Sequence, residues 1–194
     1  NLERYKMQPY PKHTRIHFLY LGRIMKEKGI DELFYAVRHL KKENENFVLD
    51  LVGFFEDEYK EQVKELEKHS IAHFYGFQSD PRPFYIEADC VVLPSYHEGM
   101  SNVILEAAAT GRPVITSNIP GCRESVENGK SGLLVEVKNK EMLYDAMKEM
   151  LHCSREEREQ MGQAGREKME REFRKEVVVE KTVQSLREDE KRDF

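Results

Sequence analysis

Short apolar runs alternate with amphipathic stretches along most of the chain. IHFLYLG from Ile16, FVLDLVG from Phe47, AHFYG from Ala72, CVVLP from Cys90, PVITS from Pro113 and GLLVEV from Gly132 are rich in β-branched and aromatic residues. Several are apolar at successive positions, as strands covered on both faces are. Between the first two, Ile30, Leu33, Phe34, Val37 and Leu40 recur at helical spacing, the stripe of a helix with one buried face. Tyr59, Val63 and Leu66 repeat that pattern more weakly, and Pro81, Pro83 and Ala88 mark a short turn. Residues 103–109 open a helix with Ser101 placed as its N-cap. Met142, Leu143, Ala146, Met147, Met150 and Leu151 mark another helix, with Asn139 ahead of it. From Ser154 the chain is densely charged, with Met161, Met169, Phe173, Val177 and Leu186 as sparse apolar anchors. That stretch predicts two helices breaking near Phe173, each with a solvated face. Strand and helix alternating at this rhythm predict an α/β domain built on a doubly wound parallel sheet of about six strands.

Ligands of such sheets bind beyond the carboxyl ends of the strands, so the loops that follow strands matter most. The first is GRIMKEKG, residues 22–29. Gly22 suits a tight turn off the strand. Arg23 and Lys28 place two cations beside a helix start, against the helix dipole, so the loop favours an anion. A planar fork with a mobile ammonium fits a diphosphate. Taken alone, the loop reads more simply as two solvated surface cations.

The second loop runs into EGMSNVILE, residues 98–106, where Glu98 and Glu106 stand eight positions apart. Gly99 lets the backbone approach a ligand. The amides of Met100, Ser101 and Asn102 begin a helix and form an anion site. Glu106 lies in the second turn, about 6–8 Å further along, where an acid can accept hydrogen bonds from a ribose diol. Glu98, ahead of the helix, would reach the other side of the phosphates. Glu106 has Leu105, Ala107, Ala108 and Ala109 around it, so it is either on a solvent stripe or buried for a purpose. A paired-carboxylate glycosidase would also need two acids. It leaves Arg23, Lys28 and the glycine at the helix start unexplained.

Composition narrows the remaining classes. The 194 residues suit one domain. No apolar run approaches the roughly 18 residues of a membrane span. A net charge of −5 disfavours a nucleic-acid binder. Cys90, Cys122 and Cys153 are odd in number and scattered, fit neither a disulfide framework nor a CxxC metal site, and read as reduced thiols in the cytosol. GKS at 129–131 lacks the upstream glycine of a P-loop, with Glu124 standing there, and precedes a strand. GxGxxG and HExxH are absent from the sequence, and His97 beside Glu98 reads as a surface pair. Residues 1–13, polar and broken by proline, read as a linker or cloning remnant ahead of a domain spanning 14–194. Asn1, where an initiator methionine would stand, reads as the start of a piece of a longer chain.

These motifs together resemble one family. EGMSNVILE is similar to the E-x7-E motif of retaining GT-B glycosyltransferases, family 4 in particular (glycosyl transferases group 1). GRIMKEKG resembles their GR-x-x-x-x-KG diphosphate loop, HFYGF with the following QSD their nucleobase loop, and residues 93–124 their signature region. The likeness runs from about Ile16 to Phe173. It implies a Rossmann-like domain, one half of a GT-B fold, that binds a nucleotide-sugar donor. Arg23 and Lys28 would hold the diphosphate and stabilise it as leaving group. Glu98 would contact hydroxyls of the donor sugar. Gly22, Gly76 and Phe77 would border the nucleotide, Gly99, Met100, Ser101 and Asn102 would offer amides, and Glu106 would bind the ribose.

The resemblance further implies UDP as the nucleotide, no metal and no other cofactor. It implies a glycan or lipid-linked acceptor, a role in surface polysaccharide synthesis, and an acceptor-binding N-terminal half that is not in this chain. None of the seven histidines takes the catalytic role sited in that half, and the present half alone should transfer nothing. The helices from about 174 would cross back to it. The expected location is cytoplasmic, with peripheral attachment at the inner membrane face through the other half. Competing readings are a nucleotide-sugar epimerase or sugar phosphorylase of the same fold, and a stand-alone nucleotide-binding module.

Overall fold

The computed structural model describes residues 2–174, together with Val177 and Val179. Six strands, β1 (Ile16–Leu21), β2 (Phe47–Val52), β3 (Ala72–Phe74), β4 (Cys90–Leu93), β5 (Val114–Ser117) and β6 (Gly132–Val135), form one sheet in the order β3-β2-β1-β4-β5-β6. Every pairing is parallel. The expected doubly wound α/β sheet is therefore present, with its strand order reversing between β1 and β4.

Among the described residues, six helices connect and cover the strands: α1 (Ile30–Lys42), α2 (Lys60–Lys68), α3 (Arg82–Glu87), α4 (Asn102–Thr110), α5 (Lys140–His152) and α6 (Arg155–Glu172). Helix α1 packs on α5, and α4 packs on both α3 and α6. The residues read as a short turn after Pro81 instead form α3. Proline is tolerated in a first helical turn, whose amides lack partners in any case. Asn139 caps α5 by accepting from the Met142 amide at 2.9 Å. Ser154 and Glu157 cap α6 reciprocally. Of the two helices expected beyond Ser154, the first ends at Phe173 as anticipated, and the second lies outside the described residues. No described helix is long and apolar enough to cross a membrane.

Strand β2 is buried along its whole length, yet it carries Asp50. That carboxylate is bonded by His17 Nδ1 at 2.8 Å. The bond raises the His17 pKa above its ordinary value despite partial burial. All three cysteines are free; Cys90 and Cys122 are buried.

The stretch read as a linker is seated on the domain. Tyr5 and Tyr10 are buried, and three arginines bond the segment through its main-chain carbonyls. Arg112, itself buried, donates to the carbonyls of Gln8 and Pro9, and also to those of Tyr85 and Ile86 at the end of α3. Arg155 donates to Tyr10 and Pro11. Arg166 donates to Tyr5 and, in α4, to Ala109.

Helix α6 approaches α4 through glycines. A Cβ at Gly162 would lie 2.1 Å from the Gly111 carbonyl oxygen, whereas one at Gly165 would meet nothing closer than 3.5 Å. Gly165→Ala should therefore raise stability by up to about 1 kcal/mol through helix propensity. Gly162→Ala should lower it by about 1–3 kcal/mol through overpacking. Urea midpoints of the two variants check this; equal shifts would contradict it.

Candidate functional site

At the carboxyl edge of the sheet, five loops are joined by backbone hydrogen bonds. The loop after β2 bonds that after β3 (Gly53 N to Gly76 O, 2.9 Å) and that after β1 (Ile24 N to Phe54 O, 2.8 Å). The loop after β4 bonds that after β1 (Tyr96 N to Glu27 O, 2.8 Å) and that after β5 (Ser101 N to Gly121 O, 3.1 Å). Two of these approaches require glycine. Gly29 has φ 73°, and a Cβ there would sit 2.1 Å from the Pro94 carbonyl oxygen. Gly121 has φ 89°, and a Cβ there would sit 1.5 Å from the Gly99 oxygen. An L-residue would be strained by the dihedral and blocked by the neighbour.

This seam crosses the point where the strand order reverses, the position at which open α/β sheets take their ligands. There Lys28 Nζ donates to Glu98 Oε1 at 2.6 Å, and Ser95 Oγ donates to the same oxygen at 2.8 Å. The Lys28 and Glu98 side chains are only 17% and 14% exposed. Two residues drawn from different loops by sequence reasoning are thus in direct contact. Tyr96 fixes its loop from the other side by donating to both oxygens of Glu32 on α1. Tyr20, buried in β1, donates to the Arg23 carbonyl.

Arg23 itself turns elsewhere. Its guanidinium meets both oxygens of Glu56 in the loop after β2, at 3.1 and 2.8 Å, and about half of each side chain is exposed. Arg23 and Lys28 of the first loop thus each hold a separate carboxylate. Gly22 begins this loop, its amide bonded to the Val52 carbonyl at 2.9 Å. Gly76 has open space where a Cβ would be. Phe77 beside it is 70% exposed, its ring 6.5 Å from that of Phe54. Ser95, Glu56 and Phe54 escaped the sequence reading, because a serine, a surface acid and a loop aromatic carry no distinguishing pattern.

Helix α4 begins next to the Lys28–Glu98 pair. Ser101 occupies the N-cap in extended conformation, as expected, but its side chain makes no capping bond. Met100 and Asn102 are exposed around it. Glu106 faces α3 and the N-terminal segment. Tyr85 donates to its Oε2 at 3.0 Å. Tyr5 lies nearby, and burial first and the neighbouring Glu106 carboxylate second push its pKa up to about 12. Glu106, Asn102 and Tyr5 border one cavity of about 80 Å³. A second cavity, of about 380 Å³, lies between the N-terminal segment and α3, lined by Arg4, Lys6, Asp80 and Arg82 among others, and contains none of the predicted site residues. Among the described residues, no group of three or more His, Cys, Asp or Glu could hold a metal ion.

Fold and site define a doubly wound α/β domain that presents a helix start and a paired lysine and glutamate at the carboxyl edge of its sheet. The sequence profile of the Glycosyl transferases group 1 family matches residues 3–168, and the chain belongs to that family. The match starts well ahead of Ile16 and takes in the seated N-terminal segment. The chain is 30% identical over 164 residues to the capsular polysaccharide biosynthesis glycosyltransferase CapM of Staphylococcus aureus, covering 83% of this chain and 43% of CapM. It spans less than half the length of the curated relatives it matches. Among solved structures, sucrose-phosphate synthase from Thermosynechococcus elongatus superposes with a TM-score of 0.80 at 26% identity, over 97% of this chain and 50% of that one. The C-terminal domain of a glycosyl transferase group 1 family protein (LpcC) from Francisella tularensis superposes with a TM-score of 0.69 at 25% identity, over 90% of this chain and 93% of that one. The sheet is thus Rossmann-like, of the kind found in GT-B glycosyltransferases.

The two ion pairs should differ in strength. In urea unfolding, Lys28→Met and Glu98→Gln, singly and combined, should give a coupling of about 1–3 kcal/mol. Arg23→Ala with Glu56→Ala should couple by less than about 1 kcal/mol, since both are well solvated. Equal couplings would mean that the inner pair is no better held than the outer one.

Proposed function

We propose that this chain is the C-terminal, donor-binding half of a retaining family 4 glycosyltransferase. The enzyme would move a hexosyl unit from a nucleotide-diphosphate sugar, with UDP the nucleotide, to a glycan or lipid-linked acceptor in surface polysaccharide synthesis. The observation that carries this reading is the Lys28–Glu98 contact beside the start of α4. It sets a cation, a helix N-terminus and an acid side by side where a diphosphate and its sugar would lie. The likeness to CapM supports the pathway, and the near-complete overlap with a C-terminal domain of the same family supports the assignment to that half.

In this reading Lys28 spends one of its three donors on Glu98 and offers the others to phosphate oxygens. Arg23 keeps further N–H groups beyond those on Glu56. Both bonds to Glu98 fall on Oε1, and Oε2 is the oxygen for sugar hydroxyls. Negative charge grows on the leaving diphosphate as the glycosidic bond breaks. Cations and amides already in place stabilise that state more than the ground state. Neither a metal nor another cofactor is needed. Glu106 takes the ribose, and Gly76 with Phe77 borders the base. Closure against the acceptor-binding half excludes water and limits hydrolysis, so this half alone binds donor and transfers nothing. The location that fits is the cytoplasm, at the inner membrane face where a lipid-linked acceptor is reached.

Thermal melting with UDP, GDP and ADP tests the site. A nucleotide at about a hundred times its Kd adds about 2.7 kcal/mol, or roughly 5–10 °C for a domain of this size. UDP should give that shift, and Arg23→Ala combined with Lys28→Ala should abolish it. A full shift in the double variant, or none with any of the three nucleotides, would overturn the reading.

A further inference from the structure

The acid assigned to the ribose is held from behind. Tyr85, fully buried in α3, donates to Glu106 Oε2 at 3.0 Å. The ring of Tyr5, from the segment ahead of β1, stands edge-on to Tyr85, with centroids 6.0 Å apart and planes at 82°. Both tyrosines are themselves fixed through their main chains. Arg112 donates to the Tyr85 carbonyl at 2.9 Å, and Arg166 to the Tyr5 carbonyl at 2.9 Å. Arg166 also donates to Ala109, three residues along α4 from Glu106, at 2.8 Å.

A glutamate side chain left to itself samples many rotamers, and fixing it has an entropic cost. Here that cost is met during folding. A carboxylate has about four acceptor positions, and Tyr85 takes one of them. Glu106 also borders a cavity that it shares with Asn102, at the start of α4, and with Tyr5.

We propose that Tyr85 is a positioning residue for Glu106: it holds one oxygen of the carboxylate so that the other faces the ribose diol of the nucleotide. This inference rests on the donor-site reading above. Tyr85 need not touch the nucleotide; it acts through the orientation of Glu106.

Tyr85→Phe removes one oxygen and keeps the ring. Calorimetric affinities of the unaltered chain, Tyr85→Phe and Glu106→Gln are measured for UDP, GDP and ADP, each against its 2′-deoxy counterpart. The unaltered chain should prefer the ribonucleotide. Tyr85→Phe should cut that preference about three- to tenfold, the loss of one hydrogen bond's worth of placement, with affinity for the deoxynucleotide unchanged. A merely structural role would weaken both nucleotides alike, and that result overturns the proposal. If Tyr85→Phe keeps the full preference while Glu106→Gln loses it, positioning fails and the donor reading stands. If Glu106→Gln also keeps it, or the unaltered chain shows none, the ribose assignment falls and takes the positioning role with it. Should Tyr85→Phe not fold, Glu106→Asp, which keeps the acid but draws it back from Tyr85, decides: it should cut the preference likewise, and keeping it overturns the positioning.

Discussion

Strands β1 and β4 lie side by side, but the chain leaves their carboxyl ends in opposite directions across the sheet. A crevice opens wherever this happens, and its walls have no covalent reason to stay in register. In this protein they are held by main chain against main chain. The Tyr96 amide reaches the Glu27 carbonyl, and Gly29 lies so close to Pro94 that no side chain fits between them. Lys28 immediately precedes that glycine, and Glu98 follows Pro94 by four residues. The meeting of lysine and acid is therefore set by how closely two peptide planes approach.

The same geometry settles the electrostatics. A half-buried ammonium without a partner would be costly to desolvate, and Glu98 relieves that cost. Beside this pair, the start of α4 contributes the partial positive charge of its peptide dipoles. Arg23 stands further out, well solvated and bonded to Glu56. The two cations thus differ in freedom: one is locked into the crevice wall, and the other can swing on an exposed side chain.

Much of this was legible in the residues. Every strand and most helices lie where the apolar alternation puts them, because strands covered on both faces must be apolar and helices with one buried face must be striped. Asp50 escaped that logic. An acid inside an apolar run carries no sign that a histidine on the next strand will bond it. Helix α3 escaped because two prolines read as a break when they fall in a first turn. Lys28 and Glu98 were each selected by type and loop, but their contact depends on strand order, which no local pattern encodes. Glu106 was selected as a ribose acid, while its tyrosine partner, Tyr85, comes from a part of the chain 21 residues away. The N-terminal segment was hardest to read. It is seated mostly by bonds to its own carbonyls, and every residue has one of those.

That mode of attachment has a consequence for how the segment responds to its surroundings. The carbonyls that Arg112, Arg155 and Arg166 grip on this segment have no proton to gain or lose. On the acceptor side, a change of pH has no handle on those contacts. Dissolved ions compete poorly too, since the attraction is between a cation and short-range peptide dipoles. Substituting a side chain along the strap leaves these main-chain acceptors in place.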